Sequence, residues 1–226
     1  MQDLFSFYQN QIEEYSTAVS EVKKQLAGSS TLRLLVFIAT IFFSYLFFEN
    51  TKLVLAIAVL GIAVFLYLVS RHTDLQYKRD KLIALKTINE TEVQVLNRDF
   101  HKLPEGNEFK DPLHYFSQDI DLFGRGSFYQ YNNRTALRQG SETLAALFTE
   151  NSIVDITEKQ GAIKELSKIP QWRQEFSAIA SLTKTQTTTD IIEHWLENYS
   201  PFVPPIMKYL PLVFSFLFFF YVFKKK

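Results

Sequence analysis

The side chains best suited to chemistry are few and scattered. His114, Asp119 and Asp121 bring an imidazole and two carboxylates close together in the chain, the donor types from which metal sites are built. Their spacing matches no strong ligand pattern, so a capping or hydrogen-bonding role in a connector is the simpler expectation. Gly124-Arg125-Gly126 offers backbone amides and a guanidinium to a phosphate, but turn chemistry accounts for a lone Gly-x-Gly equally well. A P-loop needs Gly-Lys-Ser/Thr so that amides and a lysine can cradle phosphates. None of Gly28, Gly61, Gly106, Gly124, Gly126, Gly140 and Gly161 is followed by lysine. The chain has no cysteine, which excludes a disulfide framework, a zinc ribbon and a thiol nucleophile. No Ser/His/Asp arrangement stands out. Trp172 and Trp195 read as packing residues rather than stacking platforms. No catalytic, cofactor-binding or metal-ligating residue is therefore assigned, and no small-molecule substrate is evident.

Charge narrows the partners. The whole chain is formally neutral, and residues 70–205 hold 16 Lys+Arg against 19 Asp+Glu, a net of −3. Phosphate contact dominates DNA affinity, so an acidic domain is a poor nucleic-acid binder.

The elements that would position these residues begin with two uncharged blocks. Leu34 to Phe48 and Leu53 to Val69 are separated only by Glu49-Asn50-Thr51-Lys52. With flanks included, each reaches the roughly 17–25 apolar residues that a membrane-spanning helix needs. Four polar residues suit a tight hairpin turn. Lys23, Lys24 and Arg33 precede the pair, and Arg71, Lys78, Arg79, Lys81 and Lys86 follow it, so the positive-inside rule places both flanks in the cytoplasm. A third apolar block, Leu210 to Phe223, ends in Lys224-Lys225-Lys226. If residues 70–205 are inside, a third span puts those lysines outside, so either this segment is re-entrant or interfacial or a fourth span follows, and the fourth span is the favoured expectation.

Outside these blocks the chain reads as helical. Tyr8, Ile12, Tyr15, Val19, Val22 and Leu26 are spaced 4, 3, 4, 3, 4, a coiled-coil type of seam. Leu75, Leu82, Leu85, Val93, Leu96, Phe100 and Leu103 form a looser stripe after the second span. Two helices joined through a membrane hairpin must run side by side and antiparallel. Counting outward from the turn places Tyr15 near Leu85 and Val22 near Lys78. The expected organisation is an N-terminal amphipathic helix (1–31), a transmembrane hairpin (32–69), a helical arm (70–104) and an extended connector (105–126). A helical bundle (127–200) and a third transmembrane segment with its basic end (201–226) complete it. Within the bundle, one helix is expected from Ser127 to about Glu150. A second is capped by Asp155 with Glu158 in a capping box. A third starts at Pro170, and a fourth runs from Thr189 or Asp190 to near Tyr199.

At His114 the chain begins to resemble a known family. His114-Tyr-Phe-Ser-Gln-Asp119-Ile-Asp121-Leu-Phe123-Gly124 is similar to the start of the core (lever) region of membrane-associated MutS-like proteins, within the DNA mismatch repair family. Asn133-Arg134-Thr135, Gly140, Glu142-Thr143-Leu144-Ala145 and Lys159-Gln160-Gly-Ala-Ile-Lys-Glu165-Leu166 continue the likeness in order, over roughly residues 114–182. Lys159 stands where the family usually has arginine, and Leu137 where a second threonine is common. The resemblance implies a structural role for these residues. It also implies a lever that joins an ATPase to distant helices. That ATPase is not in this chain, so ATP and Mg are expected only if a downstream domain supplies it. Phe47-Phe48-Glu49 and Phe148-Thr149-Glu150 match the family's mismatch-reading Phe-x-Glu in letters only. The partners implied are the lipid bilayer and, as an open case, a second copy in a homodimer. The family suggests DNA, and the charge of the chain argues against it. The expected location is a bacterial inner membrane, with residues 1–31 and 70–205 cytoplasmic. The competing expectation is a membrane-tethered scaffold with no nucleotide cycle.

Overall fold

The computed structural model describes residues 2–150, 152–183, 194–199, 207, 209–211 and 215. Among these the chain is all helical, without a strand. Two helices dominate: α1 (Gln2–Leu46, 45 residues) and α2 (Thr51–Leu96, 46 residues). Each runs without a break from the arm into the apolar block. At 1.5 Å per residue, each is about 70 Å long. The sequence divided them at residues 31 and 69, but no proline or glycine pair interrupts either junction, so the backbone has no reason to stop there.

The turn between them is Phe47–Asn50. Asn50 caps α2, its side-chain oxygen accepting from the amide of Leu53 at 3.2 Å. Satisfying one of the first free amides in this way is what asparagine does well at a helix start. From this turn the two helices pack antiparallel. Ser29 lies 21 residues before Asn50 and His72 lies 22 after it, and their side chains meet at 3.3 Å. Thr40 lies 10 before and Gly61 11 after. A Cβ on Gly61 would come within 2.3 Å of the Thr40 hydroxyl oxygen, so only glycine allows this approach. The register counted from the turn therefore holds to within a residue.

Burial divides the hairpin in two. In the arms, Val19, Val22, Leu26 and Leu85 are buried along the expected seam. In the apolar blocks the reverse holds: only 6% of each most apolar window is buried. A hairpin in the core of a soluble protein would bury these residues. Both helices are long and apolar enough to cross a membrane.

After α2 the chain is compact rather than extended. A 3-10 turn (Asn107–Phe109) and successive tight turns fold residues 105–126 around Leu122 and Phe123. The helix expected from Ser127 to Glu150 is two helices, α3 (Phe128–Asn132) and α4 (Arg138–Thr149). The break is local chemistry. The Asn133 side-chain oxygen accepts from the Thr135 amide at 2.9 Å and the Thr135 hydroxyl at 2.7 Å. Asparagine bonding two residues ahead competes with the helical ladder. α5 (Ile156–Ser167) does begin after Asp155, yet Asp155 is left-handed (φ 57°) and its side chain makes no cap, so the capping box does not form. α6 (Pro170–Leu182) starts at Pro170 as its sequence predicts, proline being suited to the first helical turn.

Residues 194–197 are helical, within the last helix expected from sequence, in a unit (186–226) separate from the rest. The remainder of that helix and most of the third apolar block lie outside the described residues.

Candidate functional site

The polar chemistry of the chain gathers where α2 meets α6 and the Asn133–Thr135 turn. Asn89 is fully buried on α2, and Gln174 on α6 nearly so. Their amides bond reciprocally: Gln174 Nε2 donates to Asn89 Oδ1 at 3.0 Å, and Asn89 Nδ2 donates to Gln174 Oε1 at 3.3 Å and to the Leu85 carbonyl at 2.8 Å. Lys81 forms a second link to α6 through an ion pair with Glu175.

Arg134 ties the turn to the same arm. Its Nε donates to one Glu92 oxygen at 2.7 Å and a terminal nitrogen reaches the other at 3.5 Å, a fork on a carboxylate. The other terminal nitrogen donates to the carbonyls of Tyr131 (3.0 Å) and Asn133 (2.8 Å). One guanidinium thus fixes its own turn and binds it to α2. Tyr8 approaches from α1. Burial first, then Glu92, raises the pKa of its phenol, while Arg173 and Arg134 act in the other direction. α1, α2 and α6 therefore converge here. A cavity of about 380 Å³ lies between α2, α6 and the turn, lined by Thr91, Glu92, Pro104, Arg134, Arg173 and Ser177 among others.

Apart from Arg134 and the two aspartates, the motif residues divide into two groups. His114, Phe123, Gly124, Asn133, Thr135, Gly140 and Leu144 sit in or beside one small core. Its buried members are Leu122, Phe123, Tyr129 and Ala145, with Leu144, Phe116 and Phe148 packed against them. His114 Nδ1 accepts from the Ser117 amide at 3.2 Å, which leaves the hydrogen on Nε2, aimed at the Thr149 carbonyl at 3.3 Å. Both ring nitrogens are thus engaged, and Asp119 and Asp121 point to solvent from tight turns. No group of three His, Asp or Glu among the described residues is placed to hold a metal ion. Gly124 has φ 112°, a conformation open only to glycine, and its amide donates to the Glu105 carbonyl at 2.8 Å. The Gly126 amide donates to Gln130 Oε1 at 2.8 Å. Neither amide is free to grip a phosphate. Thr135 meets Ser141 at 2.6 Å, and Gly140 brings α4 close enough for a Cβ to lie 3.3 Å from that of Thr135.

Gln160, Glu165 and Leu166 form the second group. They lie on α5, all exposed, and take no part in the core.

Sequence reasoning missed Asn89, Glu92, Gln130 and Gln174. Gln130 is fully buried, its amide donating to the carbonyls of His101 (3.2 Å) and Leu103 (2.6 Å). For Asn89 a signal existed: it follows Leu82 and Leu85 on the apolar face of the arm. The arrangement joins elements far apart in the chain through paired polar side chains. It clamps a helical domain to the end of a long hairpin. Compared with family models, curated proteins and solved structures, the chain matches none.

Proposed function

We propose that this chain is a membrane anchor and lever, of the kind found in membrane-associated MutS-like proteins, whose ATP-binding domain lies elsewhere. The observation that carries the reading is the continuity of α1 and α2. An apolar hairpin with its side chains exposed becomes, without a joint, a packed arm. Arg134, from the Asn-Arg-Thr motif, is forked onto Glu92 of that arm. Motion of the helical domain would be passed to the hairpin rather than absorbed by a hinge. No catalytic group is assigned in this reading, and the net charge of −3 over residues 70–205 does not favour DNA as the partner.

The anchor is tested by fractionation. The chain should stay with membranes through carbonate and high salt, and recovery in the soluble fraction without detergent would remove the anchor. The lever is tested by the transcript beyond Lys226 or its immediate neighbours. A reading frame with a P-loop ATPase supports it. Without one, a tethered scaffold with no nucleotide cycle is the better reading.

A further inference from the structure

The basic residues that flank the hairpin do not all face outward. Lys23, Lys24, Arg71 and Lys78 are exposed, as charges at a membrane edge ordinarily are. Arg33 and His72 are instead half-buried, and so is Ser29. Ser29 and Arg33 lie one turn apart on α1, and the Ser29 hydroxyl meets His72 Nδ1 of α2 at 3.3 Å. Arg33 directly precedes Leu34, and His72 is three residues past Val69, so the group stands where the two uncharged blocks end. It lacks an anion. Arg33 takes part in no ion pair among the described residues, and one terminal nitrogen donates to the neutral Ser30 hydroxyl at 3.2 Å. Its Nε–H is shielded from water and has no acceptor, a state native proteins rarely leave unanswered. Burial first, then the charges of Arg33 and Arg79, holds the His72 imidazole below its ordinary pKa. Arg79 is itself paired with Asp80 at 2.7 Å. Asp74, the nearest acid to His72 in sequence, is exposed and about 200° away around α2.

We propose that Ser29, Arg33 and His72 form a binding site for the phosphate group of an anionic phospholipid, in the leaflet on the side of the arms. The inference rests on the anchor reading and not on the lever. Depth is the first reason. When the apolar blocks span the hydrocarbon core, this group lies at its edge, in the layer of lipid phosphates. Donors are the second. A guanidinium matches phosphate oxygens with parallel N–H bonds, and a small shift of Arg33 gives its unanswered Nε–H an acceptor. The Ser29 hydroxyl and the His72 ring stand one turn away to bond a further oxygen. The third reason is the surface beside the site. Leu34, Leu35 and Leu66 are exposed and offer an apolar wall to acyl chains. A zwitterionic headgroup fits less well, because it brings an ammonium to a group with no carboxylate. Free inorganic phosphate has the same oxygens but nothing to lie along the apolar wall.

The test uses the full chain in neutral detergent, titrated with phosphatidylglycerol or phosphatidylcholine of equal chain length and read by native mass spectrometry. Phosphatidylglycerol should be preferred by roughly tenfold, the worth of one charge-assisted hydrogen bond. Arg33→Gln should abolish most of that preference, and His72→Phe should cost roughly threefold, with helicity by circular dichroism unchanged in both. Arg71→Gln removes a charge at the same depth from the exposed face and should change the preference by less than about twofold, within the worth of an exposed charge. Inorganic phosphate at matched ionic strength should not displace the lipid. Equal retention of the two lipids, a preference indifferent to Arg33→Gln and His72→Phe, or equal losses from Arg33→Gln and Arg71→Gln would each overturn the site. Displacement by inorganic phosphate would overturn the lipid as its ligand. Flotation with pure phosphatidylcholine vesicles reads the anchor separately. A chain that floats with them yet shows no lipid preference loses the site and keeps the anchor, and a chain that does not float loses both.

Discussion

At the scale of single residues, the coupling rests on a few buried polar groups whose partners are complete. The Asn89–Gln174 pair shows why completeness matters. A buried amide left without a partner costs about 1–3 kcal/mol, whereas replacing both partners by apolar groups of similar shape is nearly neutral. Asn89→Ala should therefore destabilise the docking of α6 by about that amount. The double variant Asn89→Leu/Gln174→Met should recover much of the loss. Hydrogen exchange of the α6 amides measures both, and equal exchange in the single and double variants would show that the amide pair is not the clamp. Arg134 is a separate case. Its ion pair with Glu92 is about one-third exposed, so its Coulomb contribution is small, on the order of 1 kcal/mol. Its geometry matters more, because one planar fork serves a carboxylate and two carbonyls. Arg134→Lys keeps the charge and loses the fork. It should loosen the Asn133–Thr135 turn almost as much as Arg134→Ala, seen as faster exchange of the Thr135 amide. Full protection in the lysine variant would mean that charge alone suffices.

At the scale of elements, the hairpin was the most legible part of the chain. Two uncharged blocks and a four-residue polar turn leave one way to connect antiparallel helices of equal rise. The same counting set the register of the arms, which the Ser29–His72 and Thr40–Gly61 contacts fit. Tight packing at Gly61 makes a prediction: Gly61→Leu should push α1 from α2 and weaken disulfide formation between cysteines at 29 and 72. Unchanged crosslinking would show that the helices are held from the arms alone. What could not be read was local competition. Asn133 lies in a stretch with good helical pattern, yet its side chain captures Thr135 and splits the helix. Asp155 and Glu158 have the spacing of a capping box, but the left-handed backbone of Asp155 turns the carboxylate away. The segment 105–126 reads as extended because Asp111-Pro112 and Gly124-Arg125-Gly126 interrupt any helical period. It is compact because Phe109, Phe116, Leu122 and Phe123 give those turns a core. That core gathers much of the expected motif, whereas Gln160, Glu165 and Leu166 stay apart on α5. Glu92 is 42 residues from its partner Arg134 and Gln174 is 85 from its partner Asn89, and no local pattern joins either pair.

At the scale of the whole molecule, α1 and α2 form a continuous hairpin with a packed end and an apolar end. The packed end is closed by the buried seam of the arms and by the Asn89–Gln174 and Lys81–Glu175 links to α6. The apolar end leaves its large side chains uncovered, which a bilayer would cover. No charged residue interrupts Leu34–Phe48 or Leu53–Val69, so neither block carries the intramembrane ionisable group that would mark a substrate path. With a net charge of −3 over residues 70–205, the purified chain should bind duplex DNA weakly and lose that binding steeply with salt. Salt-resistant preference for mismatched over matched duplex would reveal a local basic face and contradict this expectation. The most direct test of the anchor is the sidedness of the hairpin, and the absence of native cysteine makes it a clean experiment. Asn50→Cys and Lys81→Cys chains are treated in intact cells with a membrane-impermeant thiol reagent. The account predicts labelling at position 50, and at position 81 only after the membrane is permeabilised. Labelling of position 81 in intact cells, with position 50 protected, would contradict it.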